Sequence, residues 1–242
     1  MRPGGLILLA LALLAIVPAP ADEPDFTAAR AALIDELRAQ GRHDPPPGRS
    51  GFDERVLRAL REVERHQFVP ARLQSEAYVN HPLPIGHGQT ISQPYIVALM
   101  TDLVAPDADD TVLEVGTGSG YQAAVLAKLV RQVYSMEIIE PLAEQAAQRL
   151  DRLGYGNVTT SLGDGYFGWP EHAPYDAIVV TAAASHVPPP LIEQLKPGGR
   201  MVIPVGGRFT VQYLLLLEKT AEGEILTRQI TAVRFVPLTG EH

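Results

Sequence analysis

Three glycines at alternate positions, Gly116, Gly118 and Gly120, close the apolar run Val112-Leu113-Glu114-Val115 and open the helix-like stretch Tyr121 to Ala127. An apolar run that turns sharply into a helix reads as a buried parallel strand ending in a cofactor turn, because only residues without a Cβ let a nucleotide-like ligand approach the backbone closely. Carboxylates accompany the turn. Glu114 precedes it, Glu137 ends the next candidate strand, Gln132 to Met136, and Asp164 sits in the tight turn Leu162-Gly163-Asp164-Gly165. An acid at a strand end can accept ribose hydroxyls, and the turn acid is placed to receive an adenine amino group. The dinucleotide fingerprint spaces its glycines G-x-G-x-x-G and sets a pyrophosphate on the helix N-terminus. Here the spacing is G-x-G-x-G, and the preceding carboxylate repels phosphate. S-adenosylmethionine, cationic at its sulfonium and α-amino groups and free of phosphate, meets these requirements.

Holding three acids at successive strand ends requires a layered α/β framework. Strand and helix signals alternate over 111–115, 121–130, 132–136, 141–153, 157–161 and 175–181. A helix over 188–195 follows, stopped by Gly198-Gly199, and then a strand from Arg200 to Val205. Such alternation predicts right-handed crossovers and a doubly wound, mostly parallel sheet. Val211 to Leu217 and Ile225 to Phe235 read as an antiparallel hairpin at its edge. Upstream, 22–40 reads as a helix with Phe26, Leu33, Ile34 and Leu37 on one face and Gly41 as its stop. The segment around Pro45-Pro46-Pro47 is a surface loop, and Asp53 caps a second helix through Val63. A long polar loop spans 78–93, and a helical pattern resumes from Tyr95 to Val104. The chain thus divides into a leader-like segment 1–21, a helical extension with its loop over 22–105, and a cofactor-binding core with its hairpin over 106–242.

Composition narrows the partners. The 242 residues are 46% hydrophobic, enough for one sizeable core, and Lys+Arg 20 against Asp+Glu 28 gives a formal charge of -8 with no basic run. A polyphosphate backbone is therefore repelled, and no nucleic-acid partner is expected. With no cysteine, disulfides, thiolate metal sites and cysteine nucleophiles are excluded together. His81 and His87 have no third partner at metal-ligand spacing, and no metal is expected. Trp169 reads as a packing residue. At the N-terminus, Arg2, the apolar run Leu6 to Val17 and the small residues Ala19-Pro20-Ala21 have the pattern of an export signal, too short for a stable membrane span of roughly 20 apolar residues. A periplasmic or secreted location follows, the alternative being cytoplasmic.

The stretch Leu83-Pro84-Ile85-Gly86-His87-Gly88-Gln89-Thr90-Ile91-Ser92-Gln93-Pro94-Tyr95 resembles a signature of the protein-L-isoaspartate O-methyltransferase family, within the class I methyltransferases. Arg65-His66-Gln67-Phe68-Val69-Pro70, Gly168-Trp169-Pro170, Asp176 to Ala183 and Val233-Arg234-Phe235-Val236-Pro237-Leu238 are similar to it as well, so the resemblance runs from about Ala28 to Gly240. It implies a Rossmann-like fold and transfer of a methyl group from S-adenosylmethionine to the α-carboxyl of L-isoaspartyl residues in damaged proteins, the expected partners of a monomeric enzyme. It assigns the catalytic role to Ser92, with Thr90 beside it as a second hydroxyl donor. Thr90, Ile91 and Ser92 border the cofactor with Glu114, Gly116, Glu137, Asp164 and Gly165, the turn glycines Gly118 and Gly120 belong to the same site, and Thr239 closes over it. A carboxylate nucleophile and a sulfonium leaving group need alignment more than acid-base help. From the residues alone, Ser92 also reads as the cap of the following helix. Asn80 stands where relatives commonly carry an acid, and the Pro45-Pro46-Pro47 loop looks like an insertion.

Two other readings remain open at this level: an exported binder of damaged polypeptides that keeps the fold without catalysis, and a methyltransferase of another substrate class. A pure binder would tolerate loss of Glu137 and Asp164, and the net charge argues against a transfer RNA substrate.

Overall fold

A computed structural model describes residues 25–207 and 210–240. The export-like segment 1–21 lies outside them. Strand β3 (Thr111–Val115) is apolar apart from Thr111 and Glu114, and buried at every position, as a central strand covered on both faces must be. It pairs in parallel with β4 (Gln132–Glu137) on one side and β6 (Tyr175–Val180) on the other. With β5 (Val158–Leu162), β7 (Leu195–Val205), β8 (Gln212–Lys219) and β9 (Ile225–Val233), the sheet runs β5-β4-β3-β6-β7-β8-β9. Only β8 and β9 are antiparallel to their neighbours. The chain order therefore reverses between β3 and β6. In open sheets of this kind, ligands bind beyond the carboxyl ends of the strands at that reversal.

Helices α4 (Tyr121–Ala127), α5 (Glu140–Arg152) and α6 (Pro189–Gln194) form the crossovers. Upstream lie α1 (Thr27–His43), α2 (Glu54–Glu62) and α3 (Pro94–Leu103). Their buried residues Leu37, Leu57 and Met100 belong to one apolar cluster with Val112 and Val179 of the sheet and Leu126 of α4. Asp53 caps α2 through the Arg55 amide at 2.8 Å.

Four elements differ from the sequence expectation. Helix α1 passes through Gly41, where a Cβ would stand 2.6 Å from the Phe52 ring, so this glycine serves close packing and is not a stop. The polar stretch 78–93 holds an antiparallel hairpin, β1 (Leu83–Gly86) with β2 (Gln89–Ile91), whose turn places His87 at φ 52. Gly198 and Gly199 lie within β7, which starts at Leu195 directly after α6; the absent Cβ of Gly199 leaves room for the Asp176 carbonyl. Helix α4 ends at Ala127, three residues short of expectation. The expected hairpin at the sheet edge is present as β8 and β9. No described helix is long and apolar enough to cross a membrane.

Candidate active site

The turn after β3 bends through three left-handed glycines, Gly116 (φ 98), Gly118 (φ 55) and Gly120 (φ 89). Four of its amides are already engaged. Gly116 and Thr117 donate to the Met136 carbonyl at 2.8 and 3.1 Å, Gly118 donates to Glu137 Oε2 at 2.8 Å, and Gly120 donates to the Thr117 carbonyl at 2.8 Å. A pyrophosphate needs such amides free, so the turn is unsuited to a dinucleotide.

A cleft of about 760 Å³, counting its open mouth, lies beyond β3, β4 and β6. Of the expected site residues it brings together Thr90, Ile91, Ser92, Glu114, Gly116, Gly118, Glu137, Gly165 and Thr239. Glu114 is wholly buried. The Ser135 hydroxyl donates to its Oε2, while Oε1 meets no hydrogen-bond partner. Burial pushes this carboxyl up to about 8, against the Ser135 hydrogen bond that lowers it. Glu137 is fixed by two amides, Gly118 on Oε2 and Ile139 on Oε1 at 2.9 Å, leaving each oxygen a second lone pair. Two carboxylates and no Lys, Arg or His line this cleft among the described residues.

Two expected residues stand apart from the lining. Gly120 packs under Leu150, whose side chain would lie 3.2 Å from an added Cβ, so its role is to let α5 approach the turn. The Asp164 carboxylate accepts from the Tyr166 amide at 3.0 Å, capping a short helical turn, and the Gly240 backbone lies against it. Gly165, next in sequence, does line the cleft, and its missing Cβ makes room for Val115.

Thr90 and Ser92 stand two residues apart on the chain leaving β2, and two-residue spacing in extended chain directs side chains to one side. Neither hydroxyl has a hydrogen-bond partner among the described residues. Ser92 does not cap α3. The side chain that does so belongs to Asn80, whose Oδ1 accepts from the Tyr95 amide at 3.0 Å while its Nδ2 donates to Glu36 and Gln40 at 2.9 and 3.2 Å. Asn80 thereby ties the site loop to α1 and α3.

A second cavity, about 940 Å³ by the same measure, adjoins the first through the shared residues Thr90, Ser92, Thr181 and Val236. Pro82, Gln93, Ile96, the end of β9 at Ala232 and Val233, and the following Arg234 and Phe235 complete it, and Arg234 is its one charged residue. Sequence reasoning missed Thr181. Its hydroxyl donates to the Gly116 carbonyl at 2.6 Å, bracing the turn, and its position just past β6 at the reversal was the available signal. Tyr121 and Gln122 were missed as well. Both line the cleft, Gln122 held by the Thr101 hydroxyl at 2.9 Å and Tyr121 by the buried Arg65 guanidinium 4.8 Å over its ring.

The chain is similar to known proteins of one family. The family model described as protein-L-isoaspartate(D-aspartate) O-methyltransferase matches residues 29–242. A protein-L-isoaspartate O-methyltransferase 2 of Syntrophobacter fumaroxidans is 61% identical over 92% of this chain and 90% of its own length. A protein-L-isoaspartate O-methyltransferase 1 of Cupriavidus necator is 67% identical over 81% of this chain and 75% of its own. Among solved structures, a protein-L-isoaspartate O-methyltransferase superposes with a TM-score of 0.76 at 31% identity, over 87% of this chain and 66% of that one. A Plasmodium falciparum structure in complex with S-adenosyl-L-homocysteine gives 0.71 at 24% identity, over 87% and 98%.

Proposed function

The chain belongs to the protein-L-isoaspartate(D-aspartate) O-methyltransferase family, and from that premise we infer that its two adjoining cavities receive the two partners of one methyl transfer. The enzyme methylates the α-carboxyl of L-isoaspartyl residues in damaged proteins, with S-adenosylmethionine as cofactor. One observation supports the division of labour between the cavities. The cleft at the glycine turn is lined by two carboxylates and no base, the neighbouring cavity by one guanidinium and no acid, and they meet at Ser92 and Thr90.

The residues present fit the cofactor. Glu114 and Glu137 supply negative charge for a cationic amino acid nucleoside, Gly116 and Gly118 keep the turn open, and the engaged turn amides leave no phosphate seat. When bound, the cofactor supplies an activated methyl group on a sulfonium. The protein's own task is alignment. Ser92 and Thr90 donate hydroxyl hydrogen bonds to the carboxylate of the substrate, holding one oxygen toward the first cleft. No proton needs to be removed, because a carboxylate is ionised at neutral pH. Val236 at the junction and Ile91, Val97 and Leu238 in the first cleft give these contacts apolar surroundings, in which they strengthen. Thr239 belongs to the strap that closes the cleft. A segment that carries the site loop, 22–105, thus serves a cofactor-holding core, 106–242.

A co-crystal with S-adenosylhomocysteine and an isoaspartyl peptide tests the assignment of the cavities. The nucleoside is expected along Glu137 and the isoaspartyl carboxylate at Ser92. A peptide seated elsewhere, with its carboxylate away from both hydroxyls, contradicts it. Residues 1–21 support export as the reading of the leader, with a single-chain enzyme and no nucleic-acid partner. Cell fractionation with N-terminal sequencing checks this: a periplasmic chain beginning near Asp22 is expected, and a cytosolic chain retaining Arg2 contradicts it.

A further inference from the structure

We propose that Arg234 is a specificity-determining residue that draws the isoaspartyl carboxylate into the second cavity and releases it once esterified. This rests on the methyltransferase reading above. Arg234 follows the last residue of β9 and is exposed. It forms no ion pair and no hydrogen bond with any described residue. A guanidinium keeps its charge at any physiological pH. In a chain of formal charge -8, an anionic substrate approaches against the average field. The lining of the second cavity answers this locally. Its other members, among them Pro82, Gln93, Ile96 and Phe235, carry no charge, so no acid there competes for the guanidinium.

The position of Arg234 also separates two stages of the reaction. The substrate is a carboxylate anion and the product a neutral ester, so an ion-pairing residue binds the first and has no charge to hold in the second. Ser92 and Thr90, as hydroxyl donors, lack that discrimination. They hydrogen bond an ester carbonyl as well as a carboxylate oxygen. Arg234 therefore contributes to capture and to product release, while the hydroxyls contribute to alignment.

Kinetics with an isoaspartyl peptide, and binding of that peptide and its α-methyl ester by fluorescence anisotropy in the presence of S-adenosylhomocysteine, test this. Arg234→Ala is expected to raise the peptide KM ~10-fold, the size of one charge-assisted hydrogen bond, with kcat within ~3-fold and the cofactor KM unchanged. The wild-type chain binds the free carboxylate more tightly than the ester, and its kcat/KM falls with ionic strength. Arg234→Ala loses both effects, and Arg234→Lys recovers the salt dependence. An unchanged peptide KM, or a carboxylate preference that survives in Arg234→Ala, overturns the role of Arg234. A wild-type chain that transfers no methyl group sinks the functional reading instead, and the anisotropy comparison then still decides whether Arg234 selects a carboxylate.

Discussion

Ser135 on β4 donates its hydroxyl to the Glu114 carboxylate directly across the parallel register, tying down a charge-capable group wholly buried between β4 and β6. Burial raises the Glu114 carboxyl to about 8, which favours the protonated form at neutral pH when no cation lies beside it. A cationic cofactor favours the ionised form. Affinity for S-adenosylmethionine is therefore predicted to climb between pH 6 and 8, by at most about tenfold per unit, and to level off above. Titration calorimetry in two buffers of different ionisation enthalpy should show proton release on binding. Glu114→Gln should flatten the profile; a flat profile in the wild type refutes the assignment.

The same group predicts the stability of the unliganded chain. Between about 4.5 and 8 the folded protein retains a proton that the unfolded chain has lost. Stability thus falls as pH rises through this window, by up to about 1.4 kcal/mol per unit. Urea midpoints measured from pH 5 to 8 check the sign, and Glu114→Gln should remove most of the slope.

Gly116→Ala and Gly118→Ala should separate sharply. At Gly116, φ is 98 and an added Cβ would run into the Thr181 hydroxyl that braces the turn, so loss of cofactor binding is expected. At Gly118, φ is 55, the left-handed helical region, and the nearest atom is the Ile85 side-chain end at 3.3 Å, so a penalty of about 1 kcal/mol with binding retained is expected. Thermal unfolding with and without S-adenosylhomocysteine distinguishes them.

Ser92→Ala and Asn80→Ala should fail in opposite ways. Asn80 caps α3, and its loss should lower stability by about 1 kcal/mol. Ser92 caps nothing, so its alanine variant should keep its melting temperature and cofactor affinity while kcat drops roughly 10- to 100-fold. A Ser92 variant that is less stable, or that loses cofactor affinity in step with turnover, contradicts the alignment role.

Gly240→Val should displace the segment Val236 to Thr239 that lines the cleft. Leu238 donates to the Ala183 carbonyl at 2.7 Å, Val236 to Thr239 line the cleft, and a Cβ at Gly240 would collide with the Asp164 carboxylate. A faster dissociation of S-adenosylhomocysteine is expected in stopped-flow measurements, with little change in unfolding.

The central strands β3 and β6 were readable from sequence because Val112 to Val115 and Ala177 to Val180 are mostly apolar runs, while β4 and β5 followed from their regular alternation with helices. The β1–β2 hairpin was not, since Leu83 to Ile91 is short and interrupted by Pro84 and the Gly86-His87-Gly88 turn. Gly41 and Gly199 were misread for one reason. A glycine's sequence context does not tell whether it ends an element or admits a neighbour, and here Phe52 and the Asp176 carbonyl decide. For the site, acids and glycines were legible as types, but Asp164, which accepts from the Tyr166 amide, and Gly120, packed under Leu150, are not among the residues lining the cleft. Thr181 lines both cavities and Arg234 the second because β6 and β9 end beside the site loop, a proximity no local pattern encodes.

The most direct measurement gives the chain S-adenosylmethionine labelled in its methyl group and a pair of peptides differing only in aspartate or isoaspartate at one position. Base-labile label in the isoaspartyl peptide alone is the predicted result. Label in both peptides or in neither would contradict the account.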